Sequence, residues 1–365
     1  MIYLDNGATS FHKPPQVHRA VAEAMRRCAN PGRGGYRASI EASRQVYQCR
    51  EEAGKLFGCA PDQVVLTHNC THGLNLAIRT LIRPGDKVAI SGFEHNAVTR
   101  PLNALGANLM ICGRRLFDPQ DTLERFQKAL DAGVKAVVCT HVSNVFGYIL
   151  PIGSISRLCR ERGVPMIIDA AQSAGALPID LAELGAAFIA MPGHKGLLGP
   201  QGTGLLLCGT TPEPLLFGGT GSESIRQQMP DFLPDRTEAG TLNVPGIAGL
   251  AQGLRYLRHT GIATIAHRER REAKRAAEGL RRLGFQVFSG EAQLGTVSFL
   301  PNMDCEEAAQ RLADRGIAVR AGLHCAPLAH ESAGTLSTGT VRISFGHDSH
   351  PTQTQALLQA AAALP

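Results

Sequence analysis

One acid and one lysine of this chain sit where an α/β protein collects its reactive groups. Asp169 ends the apolar run Met166-Ile167-Ile168. Lys195 lies in the turn Pro192-Gly193-His194-Lys195-Gly196, just after a second apolar run, Phe188-Ile189-Ala190-Met191. Short apolar runs of this kind read as buried parallel strands. Open α/β sheets bind ligands at the carboxyl ends of their strands, so both side chains are expected at one edge. A lysine held among glycines and apolar neighbours is a candidate Schiff-base amine. The acid is a candidate partner for a protonated ring nitrogen. Together they are what pyridoxal phosphate requires of a protein. Either residue alone reads more simply, Asp169 as a cap and Lys195 as a solvated charge. The combination carries the reading.

Other polar residues recur at the ends of apolar runs. The strand 64–66 passes through Thr67-His68-Asn69-Cys70-Thr71-His72-Gly73 into a helix expected over 74–81. A strand, a small polar turn and a helix start offer N–H groups and a helix dipole to an anion, so Cys70 and Thr71 are candidates to hold a phosphate. The Gly-Lys-Ser/Thr of a Walker loop is absent. His95 follows the strand 87–90, where an imidazole can stack on a planar cofactor or exchange protons. Asn144 follows the strand 135–140, where its amide can hold a ligand carboxylate or a ring oxygen. Cys325 lies in a polar loop, with His324 before it and Arg320 five residues back. Positive neighbours and partial exposure there favour thiolate.

These residues need a sheet to hold them. Strands alternate with helices up to Cys208, which predicts a mostly parallel sheet with helices on both faces. Pro14-Pro15 starts a helix with Val17, Val21 and Met25 on one face. Asn30 to Gly35 is a glycine-rich loop, either a linker or a segment approaching the site with Tyr36 and Arg37 as contact residues. A long polar stretch follows over 212–242, and a continuous helical region is expected from Gly246. The chain divides into an N-terminal segment 1–12, a large α/β domain 13–262 and a small α+β domain 263–365 that carries the Cys325 loop.

With 365 residues, 44% of them hydrophobic, the chain is long enough for one large core and one small one. No apolar run reaches membrane-span length and no signal peptide opens the sequence, so a cytoplasmic protein is expected. The ten cysteines show no CxxC pair and no metal-ligand spacing, and read as reduced thiols. The net charge is +6, and residues 255–282 hold nine basic side chains against three acidic ones. That segment is expected to be a solvated helical face. No nucleic-acid motif accompanies it.

The order of these pieces resembles the class V aminotransferase group of fold-type I pyridoxal phosphate enzymes. Within that group it is most similar to the cysteine desulfurases and selenocysteine lyases. The matching residues run from Tyr3-Leu4-Asp5-Asn6 through Glu94-His95, Asp169-Ala170-Ala171-Gln172 and Gly193-His194-Lys195. They continue through Glu238-Ala239-Gly240-Thr241 to Arg320-Ala321-Gly322-Leu323-His324-Cys325-Ala326. The resemblance implies a role for each. Lys195 would bind the cofactor and move the substrate's α-proton. Asp169 would meet the ring nitrogen, Gln172 the ring oxygen, and His95 would stack on the ring. Cys70, Thr71 and His194 would hold the phosphate, with Thr241 reaching in from the other subunit of a homodimer. Asn144, Arg320 and Arg342 would bind the substrate carboxylate. Cys325 would take the sulfur of L-cysteine as a persulfide, release L-alanine and pass the sulfur to an acceptor protein. A selenocysteine lyase, or another class V aminotransferase or lyase, is the alternative the same residues allow. Phe146 and Tyr148 stand where smaller residues are usual and are expected at the substrate edge. His72 stands where an acid is more usual.

Overall fold

The computed structural model describes every residue except Arg33, so that part of the glycine-rich loop expectation lies outside the described residues. The strands, in chain order, begin with β1 (Ile2–Tyr3), β2 (Val64–Thr67), β3 (Lys87–Ser91), β4 (Asn108–Cys112) and β5 (Ala136–Thr140). Next come β6 (Met166–Asp169), β7 (Phe188–Pro192) and β8 (Gly204–Cys208). The C-terminal part holds β9 (Gln286–Phe288), β10 (Thr296–Leu300), β11 (Ile317–Ala318), β12 (Arg320–Gly322) and β13 (Thr340–Ser344).

Among the described residues the main sheet has seven strands in the order β2-β8-β7-β6-β5-β3-β4. β8 pairs antiparallel to both its neighbours, while β7, β6, β5, β3 and β4 pair parallel. The central strands read as unbroken apolar runs because both faces are covered. Val137 and Cys139 of β5 pack with Phe57 and Phe126 on one side. Ala136 and Val138 pack with Leu74 and Leu102 on the other. This is the helix-covered parallel sheet that the alternation of elements requires.

A smaller antiparallel sheet, β12-β13-β10-β9, lies under the helices Ile262–Arg282, Cys305–Asp314 and Pro351–Ala361. Its own core gathers Phe285, Val297, Phe299, Leu312, Ile343 and Leu357. The start of the chain is tied to it. β1 pairs with β11, and Leu4 is fully buried in that same core.

Several elements differ from the sequence reading. The helix Pro15–Arg27 buries Val17 and Ala24, seven residues or two turns apart, and leaves Met25 72% exposed. The helix expected from Leu74 begins at Cys70, because the Asn69 side chain accepts from His72 N–H at 2.9 Å and caps it there. The helix Asn96–Ala104 was not expected; Pro101 inside it breaks the local pattern. The single helical region after Gly246 is two helices, Val244–Thr260 and Ile262–Arg282, parted at Gly261 with φ +83°. Phe146 and Tyr148 are not at a substrate edge. Both are fully buried, Tyr148 bonded to Thr122 at 3.0 Å and Phe146 packed on Phe288. Their size fills core.

The basic segment 255–282 is largely tied down. Arg255 and Arg258 both reach the buried Glu52 at 3.1 Å, and Arg271 and Arg275 reach the fully buried Glu272.

A second buried pair staples the helix Arg37–Phe57 to the long polar stretch. Arg50 meets Glu238 at 2.6 Å with both side chains under 10% exposed, and Glu238 also accepts from Leu66 N–H at 2.6 Å. Removing one partner of such a pair strands the other charge in a low dielectric. Arg50→Ala is expected to cost about 3–5 kcal/mol. Urea unfolding checks this: the midpoint should fall with the slope unchanged.

Candidate active site

The carboxyl ends of the parallel strands converge on one cavity. β6 brings Asp169 and Gln172 to it, and β7 brings His194 and Lys195. β5 leads to Asn144, β3 to His95, and the helix cap after β2 to Cys70 and Thr71. The sequence reading grouped these eight residues, and the fold brings them to one place.

Glycines permit the lysine turn. A Cβ on Gly196 would lie 2.3 Å from the Ala174 carbonyl oxygen, and one on Gly193 would lie 2.1 Å from Thr203 Oγ1. The peptide between His194 and Lys195 is gripped by the start of the chain. The His194 carbonyl accepts from Ser10 N–H at 3.0 Å, Thr9 Oγ1 at 3.0 Å and Lys13 Nζ at 3.0 Å. Ser10 Oγ also donates to the Lys195 carbonyl at 3.0 Å. Sequence reasoning missed Thr9, Ser10 and Lys13. Their proximity to the Tyr3-Leu4-Asp5-Asn6 motif was the available signal.

Burial and the Arg342 charge push the Lys195 amine below the usual lysine range, while Asp169 and Cys70 oppose the shift. Asp169 is 2% exposed. Its Oδ1 accepts from Ala171 N–H at 2.9 Å and from the Cys70 thiol at 3.4 Å. Burial, then the Asp169 charge, pushes the Cys70 thiol well up, so it is a neutral donor. Gln172 donates one N–H to the Gly7 carbonyl at 2.9 Å.

His95 begins the helix Asn96–Ala104, and its Nδ1 accepts from Ala97 N–H at 3.0 Å. The ring proton of the neutral form is therefore on Nε2. Burial lowers its pKa, against the pull of Asp169. Glu94, the residue before it, is fully buried and ties two strand ends together. Its Oε1 accepts from Ser91 Oγ at 2.5 Å and from Thr140 N–H at 2.8 Å. Burial pushes its carboxyl up to about 8, so it is protonated at neutral pH. His194 is pushed down to about 4 by burial and by Lys195 and Lys13, so it is a neutral hydrogen-bonding ring at neutral pH.

Arg342 on β13 is 2% exposed. Its Nη2 pairs with Asp5 at 2.5 Å and its Nη1 donates to the Asn144 carbonyl at 3.0 Å. Arg320 on β12 stands directly opposite it in the sheet register. Two like charges in register repel, and an anion between them relieves that. Neither arginine lines the cavity of Lys195; Arg342 adjoins it through Asn144.

Cys325 is exposed and also lies outside that cavity's lining. Its loop is nevertheless bound to the site. Asn144 Nδ2 donates to the His324 carbonyl at 2.8 Å, and Asn96 N–H donates to the Cys325 carbonyl at 2.7 Å. One expectation fails here. His324 is not a positive neighbour for the thiol, because burial, with Arg342 nearby, pushes its ring down to about 3.

Thr241 is exposed and outside the lining of the Lys195 cavity, beside a groove that also includes Glu238 and Arg50. His72 stacks on His68 at 5.1 Å and lies outside the Lys195 cavity. No cluster of three or more metal-ligating side chains occurs among the described residues. No helix among them is long and apolar enough to cross a membrane.

Comparison with known proteins gives the family and the fold. The family model described as aminotransferase class-V matches residues 2–357. The chain belongs to that family. A protein named probable cysteine desulfurase from Methanothermobacter thermautotrophicus is 32% identical, over 94% of this chain and 90% of its own. One named cysteine desulfurase from Haloferax volcanii is 29% identical, over 94% of this chain and 85% of its own. Among solved structures, the apo cysteine desulfurase of Thermococcus onnurineus superposes with a TM-score of 0.90 at 32% identity, covering 98% of this chain and 93% of that one. The Escherichia coli cysteine desulfurase CsdA, solved with an S-sulfonic acid, gives a TM-score of 0.85 at 25% identity, covering 98% of this chain and 93% of that one. These class-V members place the seven-stranded sheet and the small antiparallel sheet in the fold-type I architecture.

Proposed function

We propose that this chain is a pyridoxal phosphate-dependent cysteine desulfurase, converting L-cysteine to L-alanine with Cys325 as the sulfur acceptor. The observation that carries the reading is the Lys195 amine and the Asp169 carboxylate at adjacent strand ends in one cavity, with the Cys325 loop hydrogen-bonded to that cavity through Asn144.

The residues present fit the cofactor. Asn144 Oδ1 is buried without a partner at the cavity wall. The helix start at Cys70-Thr71 offers N–H groups that the helix itself leaves unsatisfied. Lys195 would hold the cofactor, Asp169 would face its ring nitrogen, and His95 its ring face. Cys70, Thr71 and His194 would take the phosphate. When bound, pyridoxal phosphate supplies an electron sink for bonds broken at an amino acid's α-carbon.

The remaining work falls to this chain's own groups. Lys195 Nζ, with its lowered pKa, carries a proton from and to the substrate carbons. Arg342, with Arg320 and Asn144, binds the substrate carboxylate. Cys325 Sγ, giving up its proton, bonds to the substrate sulfur as the Cβ–S bond breaks. A proton moves to Cβ, alanine leaves and the persulfide stays on Cys325. Because the loop is held at both carbonyls, sulfur would leave to an acceptor protein that approaches the exposed thiol. Thr241 would reach the phosphate of a second subunit in a homodimer; in its own chain it lies outside the lining of the Lys195 cavity. Exposed Phe217 and Ile225 in the same long polar stretch support such a contact.

A single turnover tests the reading. Enzyme loaded with pyridoxal phosphate and given L-cysteine without an added thiol should yield alanine and a Cys325 persulfide in equal amounts, read by peptide mass. Alanine from L-selenocysteine alone, with none from L-cysteine, would instead make the chain a selenocysteine lyase.

A further inference from the structure

Two consecutive residues that are not glycine, His324 (φ +50°) and Cys325 (φ +56°), adopt the left-handed backbone conformation. Such residues persist only where their surroundings over-determine them. Two of the restraints here are the bonds already described, from Asn144 to the His324 carbonyl and from Asn96 to the Cys325 carbonyl. A third holds the His324 side chain. Its Nε2 donates to the Arg320 carbonyl at 3.3 Å, and its ring lies parallel to that of His330, 5.7 Å away with an interplanar angle of 11°.

His330 is fully buried in the helix Pro327–Ala333 and does not line the Lys195 cavity. Its own orientation is fixed. Nδ1 bonds Thr335 Oγ1 at 2.8 Å, Thr335 N–H donates back to the His330 carbonyl at 2.9 Å, and Phe146 packs on the ring at 5.9 Å. An imidazole is an odd choice for core filling at this place. Its Nε2 is buried without a partner, so the site gives up hydrogen bonding to have this ring. What the ring supplies is a flat face, oriented by Thr335, for His324.

We propose that His330 is a positioning residue for Cys325. Held by Thr335 and Phe146, its ring is the surface on which His324 stacks, and the stack keeps the His324-Cys325 backbone in the conformation that presents the thiol. The inference rests on the reading of Cys325 as the sulfur acceptor. It adds a residue that touches neither substrate nor cofactor.

The test compares His330→Ala, His330→Phe and Thr335→Val. Phenylalanine keeps a flat face and alanine does not. The Asn96 amide, bonded to the Cys325 carbonyl, reports the loop independently of chemistry through hydrogen exchange in the cofactor-free protein. In His330→Ala its exchange should quicken by about 10-fold or more. Misplacing a reacting group by about 1 Å costs on the order of 10²-fold. So kcat for alanine formation in the loaded enzyme should fall by about 10- to 100-fold, with KM and the bound-cofactor absorbance unchanged. His330→Phe should recover both readouts to within about 3-fold of wild type.

The proposal is overturned if folded His330→Ala keeps wild-type Asn96 exchange and kcat, or if KM and cofactor binding fall along with kcat. It is also overturned if phenylalanine does no better than alanine. Should His330→Ala not fold, Thr335→Val decides: faster Asn96 exchange supports the proposal and wild-type exchange overturns it. If the wild-type enzyme makes no alanine from L-cysteine, the function reading fails, while Asn96 exchange still decides whether His330 holds the loop.

Discussion

Lys195→Ala lowers alanine formation from L-cysteine by about 10⁴-fold or more, the upper end of what one positioned acid–base group supplies. Two contributions are lost together. On the proposed reading, the amine that would anchor the cofactor goes, and so does the group that would carry protons at the substrate carbons. Histidine, the nearest alternative, is unsuited. His194 is held near 4 and bonded to Thr9, and His95 is a neutral ring with its Nδ1 engaged on Ala97. The bound-cofactor absorbance should move to that of the free aldehyde, which separates this loss from misfolding.

Stability should move the other way. Below the folded-state pKa of Lys195, the native protein carries a buried charge that the unfolded chain hydrates freely. The folded value is lowered, so the unfolded chain binds more protons between that value and the ordinary 10.5. Stability of the cofactor-free wild type therefore rises with pH across that window. Lys13, pushed down to about 8 by burial, adds the same sense between about 8 and 10.5. Lys195→Ala removes only the first contribution. Its stability at neutral pH should equal or exceed that of wild type, and its rise toward pH 10 should be shallower. Chemical denaturation at several pH values reads both.

Cys325→Ala should leave the protein folded and loaded with cofactor, yet lower cysteine turnover by about 10²-fold or more. Removal of a nucleophile costs up to about 10⁶-fold in other enzymes. Attack on the substrate sulfur by solution thiols sets the floor here. The thiol is exposed, and alanine accepts a φ of +56° no worse than cysteine does. Stability should therefore change by no more than about 0.5 kcal/mol. Selenocysteine is the control. A selenol leaves more readily than a thiol, so its turnover should depend less on Cys325. Equal loss on both substrates would mean the mutation has disturbed the site rather than removed the acceptor. Undiminished cysteine turnover would remove Cys325 from the reaction.

What was legible in the sequence follows from what is local. Asp169, Lys195, His95 and Asn144 each close an apolar run, and a parallel sheet carries all such ends to one edge. Asn69 was harder, because an N-cap and a phosphate turn share the same short polar signature and the helix starts four residues earlier than its apolar pattern. Phe146 and Tyr148 misled for a different reason. Position along the chain put them near the site, but nothing in sequence says that Thr122, Phe288 and Phe93 would close over them. The grip of Thr9, Ser10 and Lys13 on the His194-Lys195 peptide, and the stack of His324 on His330, depend on side-chain directions that spacing does not encode.

The contacts at the start of the chain bear on the order of events during synthesis. Asp5 pairs with Arg342 across 337 residues, and Gly7 N–H bonds Ser344 Oγ across the same separation. Next to them, Ser10 and Thr9 hold the lysine turn. A ribosome delivers the sheet and its lysine long before it delivers β13. Until then Asp5 and Gly7 have no partner, and the segment that carries the clamp is pinned at the lysine turn alone. Competence for chemistry should therefore arrive late, only once the Cys325 loop and β13 are made, so that a chain stopped before them is an inert one.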